Sequence, residues 1–235
     1  MWQLRPAAAR GFADHGWLQA RHSFSFADYH DPEEMGWGAL RVINEDRIAP
    51  GQGFGMHGHR DMEILTWIIA GELQHRDSLG HGGVIRPGEY QRMSAGRGIL
   101  HSEFNPSSVA ETHLLQIWIE PAQRGLPASY EQRVLPSTAF DAGWCLLASP
   151  DAEAGSARIQ QDARVYAARL AAGETLTAPL TRERLGYLQV IHGQLQITPE
   201  IILHAGDGLK IADESAFRIR ATEAAEFLFF DLPPA

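Results

Sequence analysis

Ile69-Ala70-Gly71-Glu72-Leu73, followed by Pro87-Gly88-Glu89, is echoed further along the chain by Ile191-His192-Gly193-Gln194-Leu195 followed by Ala205-Gly206-Asp207. In each copy an apolar run stops at a glycine turn, and a second glycine turn with an acidic residue follows a shorter run. Short apolar runs bounded by glycine read as β-strands joined by tight turns. Self-similarity on this scale reads as two copies of one β unit. Outward from the repeat, SFSF, ALRVI, MEILTWII, HLLQIWI, RVYAARL, LGYLQVI and EFLFFDL are further apolar or alternating runs separated by Gly- and Pro-containing turns. This spacing predicts an all-β chain of antiparallel sandwiches or barrels, not alternating strand and helix.

The 235 residues, 44% hydrophobic and 21% charged, suffice for one large domain or two of roughly 100 residues each. Between Pro121 and Asp141 the apolar pattern fades and three prolines occur. The junction is placed there: an N-terminal domain over 1–123, a linker over 124–140 and a C-terminal domain over 141–235.

A net charge of −9 argues against direct binding to nucleic acid or anionic lipid, both of which need clustered positive charge. The single cysteine, Cys145, has no intrachain partner, and MWQLRPAAAR lacks the apolar stretch of a secretory signal. No apolar run reaches the roughly 20 residues that span a bilayer. A cytoplasmic protein is expected, with a monomer favoured.

Two short motifs carry the chemistry: His57-Gly58-His59 and His101-Ser102-Glu103. Residues two apart share one face of a strand but diverge on a helix. Two adjacent strands could therefore aim three imidazoles and one carboxylate at one divalent metal. With no thiolate in either motif, a cysteine-type structural zinc site is excluded, whereas an imidazole–carboxylate set suits Fe(II) and also accepts Zn, Mn, Ni or Co, or Cu in its divalent state. The repeat supplies an internal control. The offset that maps Gly71 onto Gly193 sets Pro179 and Thr181 opposite His57 and His59, and aligning Gly88 with Gly206 sets Ile219 opposite His101. One metal per chain, in the first copy, is the expectation. His75, His81, His113, His192 and His204 are read as surface residues or as supports behind the ligands.

The pattern Gly51-(x)5-His57-x-His59-(x)3-Glu63 resembles the first cupin motif, and Gly96-x-Gly98-(x)2-His101-(x)3-Asn105 the second, with Gly96 where proline is usual. More specifically, DHGWLQARHSFSFADYHDP, HGHRDMEILTWIIAGELQHRDSLG, MSAGRGILHSEFNPSS and the terminal FFDLPP resemble the pirin family, on the side of its bacterial quercetin 2,3-dioxygenase-like members. The resemblance covers the whole chain. It implies a bicupin, two antiparallel jelly-roll β-barrels packed face to face, with iron in the N-terminal one held by the residues matching His57, His59, His101 and Glu103. Glu63, a ligand elsewhere among cupins, is then left to packing or a supporting hydrogen bond.

The activity implied is cleavage of a flavonol such as quercetin with O2 and release of CO. Glu103 would be first a ligand and second the base that takes the 3-hydroxyl proton. A flat aromatic substrate calls for an apolar pocket, for which Phe24, Phe26, Phe54 and Met56 are the candidates. His22, Arg60 and Arg97 are candidates for its mouth or for support, and Asn105 for ordering the loop after His101. The alternative reading is a non-catalytic iron-binding regulator, a redox sensor that contacts a protein partner. That reading predicts a shut site or a large exposed apolar patch.

Overall fold

The computed structural model describes residues 1–234. Its strands in the first half of the chain are β1 (Trp2–Arg5), β2 (Gly11–Asp14), β3 (Leu18–His22), β4 (Leu40–Ile48), β5 (Gly53–His59), β6 (Glu63–Ala70), β7 (Leu73–Asp77), β8 (Gly82–Ile85), β9 (Glu89–Ser94), β10 (Ile99–Phe104), β11 (Thr112–Ile119) and β12 (Ser129–Val134). The second half holds β13 (Trp144–Ser149), β14 (Ala157–Arg158), β15 (Arg164–Leu170), β16 (Thr175–Thr177), β17 (Leu185–His192), β18 (Gln194–Gln196), β19 (Ile202–His204), β20 (Gly208–Ile211), β21 (Arg218–Ala221) and β22 (Ala225–Leu232). Among the described residues the helices are two short 3-10 turns, and no helix is long and apolar enough to cross a membrane.

The chain divides into two compact units. One unit comprises Gly11–Leu135 and Ile159–Gln161. It has a seven-stranded sheet in the order β12-β9-β6-β11-β4-β3-β2 and a four-stranded sheet in the order β5-β10-β7-β8. The other comprises Met1–Arg10, Pro136–Arg158 and the chain from Asp162 onward. Its sheets run β1-β20-β17-β22-β15-β13-β14 and β16-β21-β18-β19. Position by position the two orders correspond, β6 to β17, β9 to β20 and β10 to β21, so the repeat seen in the sequence is a repeat of topology. The turn glycines agree: Gly71 and Gly193 have φ of 74° and 80°. At both, a Cβ would run into a backbone carbonyl oxygen, that of Glu111 and that of Ala224. Only glycine meets both demands.

In three respects the structure differs from the sequence-based expectation. Each unit is a two-sheet jelly-roll sandwich and not a closed barrel, because neither hydrogen-bonded order returns to its first strand; alternation along a strand looks the same in either case. The N-terminal strand β1 pairs with β20 and so completes the second unit, not the first. Within the expected linker, β12 is an edge strand paired with β9. Its residues are almost all half-buried, and with neither face fully in a core it lacks the apolar alternation that marks the other strands.

The second unit fills its interior with hydrocarbon. Leu188, Val190, Leu195, Leu209, Ile219, Phe227 and Phe229 form one buried cluster. Leu176 on β16 faces Ile219 on β21, the register position that His57 and His101 occupy on β5 and β10. Ile219 thus falls where the sequence alignment put it. Pro179 and Thr181 do not, since both follow β16; the loop lengths between the repeats differ.

Candidate metal centre

Strand β10 lies between β5 and β7 and sets the site. His101 is the register partner of His57 on one side and of Asp77 on the other, and Glu103 is the partner of Phe54 and of His75. Residues 99, 101 and 103 are buried while 100 and 104 are exposed, so the inward face of this small sheet carries the chemistry. A register shift between His101 and Glu103 adds one residue to β5. That bulge turns Phe54 and His57, three apart in sequence, to the same side.

The rings of His57, His59 and His101 form a triangle with centroid separations of 4.8, 4.5 and 4.8 Å. One nitrogen from each lies within 4.8 Å of the others. His57 Nδ1 donates to the Gly55 carbonyl at 2.8 Å, which leaves its Nε2 with a free lone pair. Both ring nitrogens of His101 are buried without a hydrogen-bond partner. Burial, helped by the neighbouring imidazoles, holds His59 down at about 4 and His101 at about 3. Both are therefore neutral near pH 7, the form a cation needs.

Glu103 is 2% exposed, and each of its oxygens is engaged. Gln91 Nε2 donates to Oε1 at 2.6 Å and Gln116 Nε2 to Oε2 at 2.8 Å. Two amide donors fix the plane of the carboxyl group, and each oxygen keeps a further lone pair. The two glutamines belong to one row across the seven-stranded sheet, His22–Asn44–Gln116–Thr66–Gln91, each residue the register partner of the next. Within that row Gln91 also donates to Thr66 at 2.9 Å, and His22 Nδ1 meets Asn44 Oδ1 at 2.8 Å. This polar belt, facing the four-stranded sheet, serves the one carboxylate.

Beyond Glu103 lies His75, fully buried. Its Nε2 donates to Asp77 Oδ2 at 3.3 Å, and its ring stacks on Tyr130 with centroids 4.4 Å apart and planes within 10°. Burial pushes the Asp77 carboxyl up, but hydrogen bonds from the His81 and Leu79 backbone and from both imidazoles outweigh it and hold the group below its usual value. The ligand atoms of His75, His101 and Glu103 also lie within 4.8 Å of one another. Glu103 therefore groups with His101 and His75, not with the full triad of histidines.

Beside the triangle is a cavity of about 560 Å³ whose walls include Phe12, Trp17, His22, Phe26, Tyr29 and Phe54. Phe54 lies 6.3 Å from the His57 ring. Phe26 packs edge-on against Trp118 at 5.3 Å, and Trp118 in turn against His59 at 4.9 Å. Of the four apolar candidates named from sequence, Phe26 and Phe54 line this cavity. Phe24 is a core residue at 1% exposure, and Met56, at 59%, points to solvent. On β5 the residues next to an inward histidine point outward, which places Met56 on the wrong side.

Glu63 lies three residues before Thr66 on β6, hence on the opposite sheet face. It accepts from Ser94 Oγ at 2.7 Å, and burial raises its pKa; its hydrogen bond lies on the face turned away from the histidines. Asn105 donates to the carbonyls of Ile48 and Ala110 at 3.0 and 2.8 Å and accepts from the Ser107 N–H at 3.0 Å, which orders the loop after β10. Arg60 and Arg97 are exposed, as are His81, His192 and His204. His113 pairs with Glu45 at 2.8 Å. Sequence reasoning missed Gln91, Gln116, Thr66, Asp77 and Tyr130. Only Asp77 left a signal, because His75-x-Asp77 repeats the two-residue spacing of the other motifs.

Two jelly-roll sandwiches of one topology, with clustered histidines in the first, define a bicupin. The signature described as Pirin matches residues 3–119, and that described as quercetinase C-terminal cupin domain matches 146–232. The chain is 48% identical to quercetin 2,3-dioxygenase of Escherichia coli K12 over the full length of both. It is 44% identical to a pirin-like protein of Caulobacter vibrioides, covering 98% of this chain and 99% of that one. The crystal structure of the bacterial pirin YhhW from E. coli in complex with nickel(II) superposes with a TM-score of 0.94 at 47% identity, covering 100% of each chain. The chain belongs to the pirin family.

Proposed function

We propose that this protein is a metal-dependent dioxygenase that opens a flavonol such as quercetin with O2 and releases CO. The observation that carries the proposal is the position of Phe54, a wall of the aromatic-lined cavity, which is the register partner of Glu103 and lies 6.3 Å from the His57 ring. Support comes also from the relatives, whose names record quercetin 2,3-dioxygenase activity at 48% identity. His57, His59, His101 and Glu103 would hold one divalent cation. The histidines fit it, since three imidazoles converge and two buried nitrogens of His101 lack partners; Glu103, oriented by two amides, joins the set through His101. Fe(II) is the proposed ion in a reducing cytoplasm, and the nickel(II) complex of YhhW makes Ni(II) the first alternative. Bound there, the ion would act as a Lewis acid on the substrate's oxygens and lower the pKa of its hydroxyl.

The chain's own residues supply binding and proton handling. Phe54 and Phe26 offer flat apolar walls for the ring system. Glu103 accepts the flavonol 3-hydroxyl proton at the lone pair its amide partners leave open. His22, on the cavity wall and locked by Asn44, orients the substrate's polar edge. The bulge in β5 sets the Phe54 wall beside His57, so substrate and ligands share one face of the sheet. The alternative of a non-catalytic regulator calls for no cavity of this size beside the ligands, and the cavity favours catalysis.

The test is an anaerobic titration of the metal-loaded protein with quercetin. The expected result is a long-wavelength shift of the flavonol band that His57→Ala abolishes and that Phe54→Ala weakens. An unshifted band in the loaded wild type would overturn the proposal.

A further inference from the structure

Three ring nitrogens lie buried in one place without hydrogen-bond partners: both of His101, and Nδ1 of His75. Buried polar groups are almost always paired, so an unpaired set asks for an explanation. His75 donates its Nε2 N–H to Asp77, so its Nδ1 carries a lone pair and needs a donor. If one nitrogen of His101 holds a cation, as the site reading above has it, the other must be N–H and needs an acceptor. The ion thus removes one orphan of the three and leaves a complementary pair. The two rings are tilted neighbours, 5.4 Å apart between centroids with planes at 49° and no hydrogen bond between them, and both residues are fully buried.

We propose that His75 is a positioning residue, whose Nδ1 accepts the proton on the ring nitrogen of His101 that does not hold the metal. Asp77, His75 and His101 then form a hydrogen-bonded chain ending at the ion. The link from Asp77 to His75 is already made. Asp77 accepts the Leu79 and His81 N–H groups at 2.9 and 3.0 Å, which pins the carboxylate. Tyr130 stacks on His75 from the opposite sheet, which fixes the ring plane, and the phenol donates instead to Gln132 at 3.4 Å. The arrangement extends the usual support of a ligating histidine, a carboxylate behind the ring, by one imidazole. Such a chain fixes the tautomer of His101 and raises its donor strength.

This inference rests on the proposed ligand set, and the experiment separates the two. The full chain, labelled with 15N at histidine, is loaded with 113Cd(II) and its ring nitrogens are read by NMR. Expected are 113Cd couplings on His57, His59 and His101 and none on His75, with a slowly exchanging N–H on His101. His75→Phe, which keeps a ring against Tyr130, should erase that N–H signal and weaken metal affinity roughly 10- to 100-fold. His75→Gln, whose amide oxygen can accept, should restore most of the affinity. Coupling on His75 would make it a ligand and overturn the proposal. A folded His75→Phe variant with wild-type affinity would overturn it too. Failure of the wild type to take up cadmium or any other divalent ion would overturn the ligand set itself.

Discussion

Gln116 reaches from β11 to donate its side-chain amide to Oε2 of Glu103 at 2.8 Å. With Gln91 on the other oxygen, the carboxylate at the end of the His101-x-Glu103 motif is held by residues that belong to neither metal motif. Gln116→Leu is expected to lower metal affinity by roughly tenfold or more. In a Glu103→Gln background the same substitution should cost almost nothing, because the charge it supports is gone. A metal-competition titration across the four proteins checks this.

His59 is half-buried at the end of the edge strand β5, so His59→Ala should leave the fold intact. It removes one corner of the imidazole triangle. Metal affinity should fall by more than the roughly 10- to 100-fold that a supporting residue costs. Metal content after gel filtration, with circular dichroism as the control for folding, gives the answer.

Phe54 lines the cavity beside His57, and Phe54→Ala should act on substrate and not on metal. Losing an apolar ring wall worth about 1.5–3 kcal/mol predicts a KM for quercetin raised roughly 10- to 100-fold with metal content unchanged. Steady-state kinetics on samples of matched metal occupancy would show the split.

Asp46 is buried on β4 with no basic partner, and burial, then the charges of Glu103 and Glu45, raise it to about 7 from 3.8. Between those values the folded protein holds a proton that the unfolded chain does not, so stability falls as pH rises. The penalty is absent below about pH 4 and complete above pH 7, roughly 4 kcal/mol in all. In metal-free protein, Asp46→Asn should therefore gain only about 1 kcal/mol on the wild type at pH 4.5 and the full amount at pH 8. Urea midpoints at the two pH values test the sign.

That the two histidine motifs lie side by side was legible because a two-residue spacing has one meaning on a strand: His101 and Glu103 share the buried face of β10, and His57 is the register partner of His101. The repeat was legible because Gly71 and Gly193 serve turns that admit only glycine. What supports Glu103 was not legible. Gln91, Gln116 and Thr66 lie on three strands far apart in sequence, and only the register of β9, β6 and β11 brings them into one row. The placement of β1 was hidden for the same reason, since an edge strand does not name its partner. Met56 was readable as outward from its place beside His57, whereas the inward turn of Phe54 was hidden by the bulge in β5.

The most direct test of the central claim is CO release. Protein loaded anaerobically with Fe(II), then given quercetin and O2, should consume O2 and release CO in equal amounts, with His57→Ala losing both. O2 consumption without CO, or wild-type rates from metal-free protein or from His57→Ala, would contradict it.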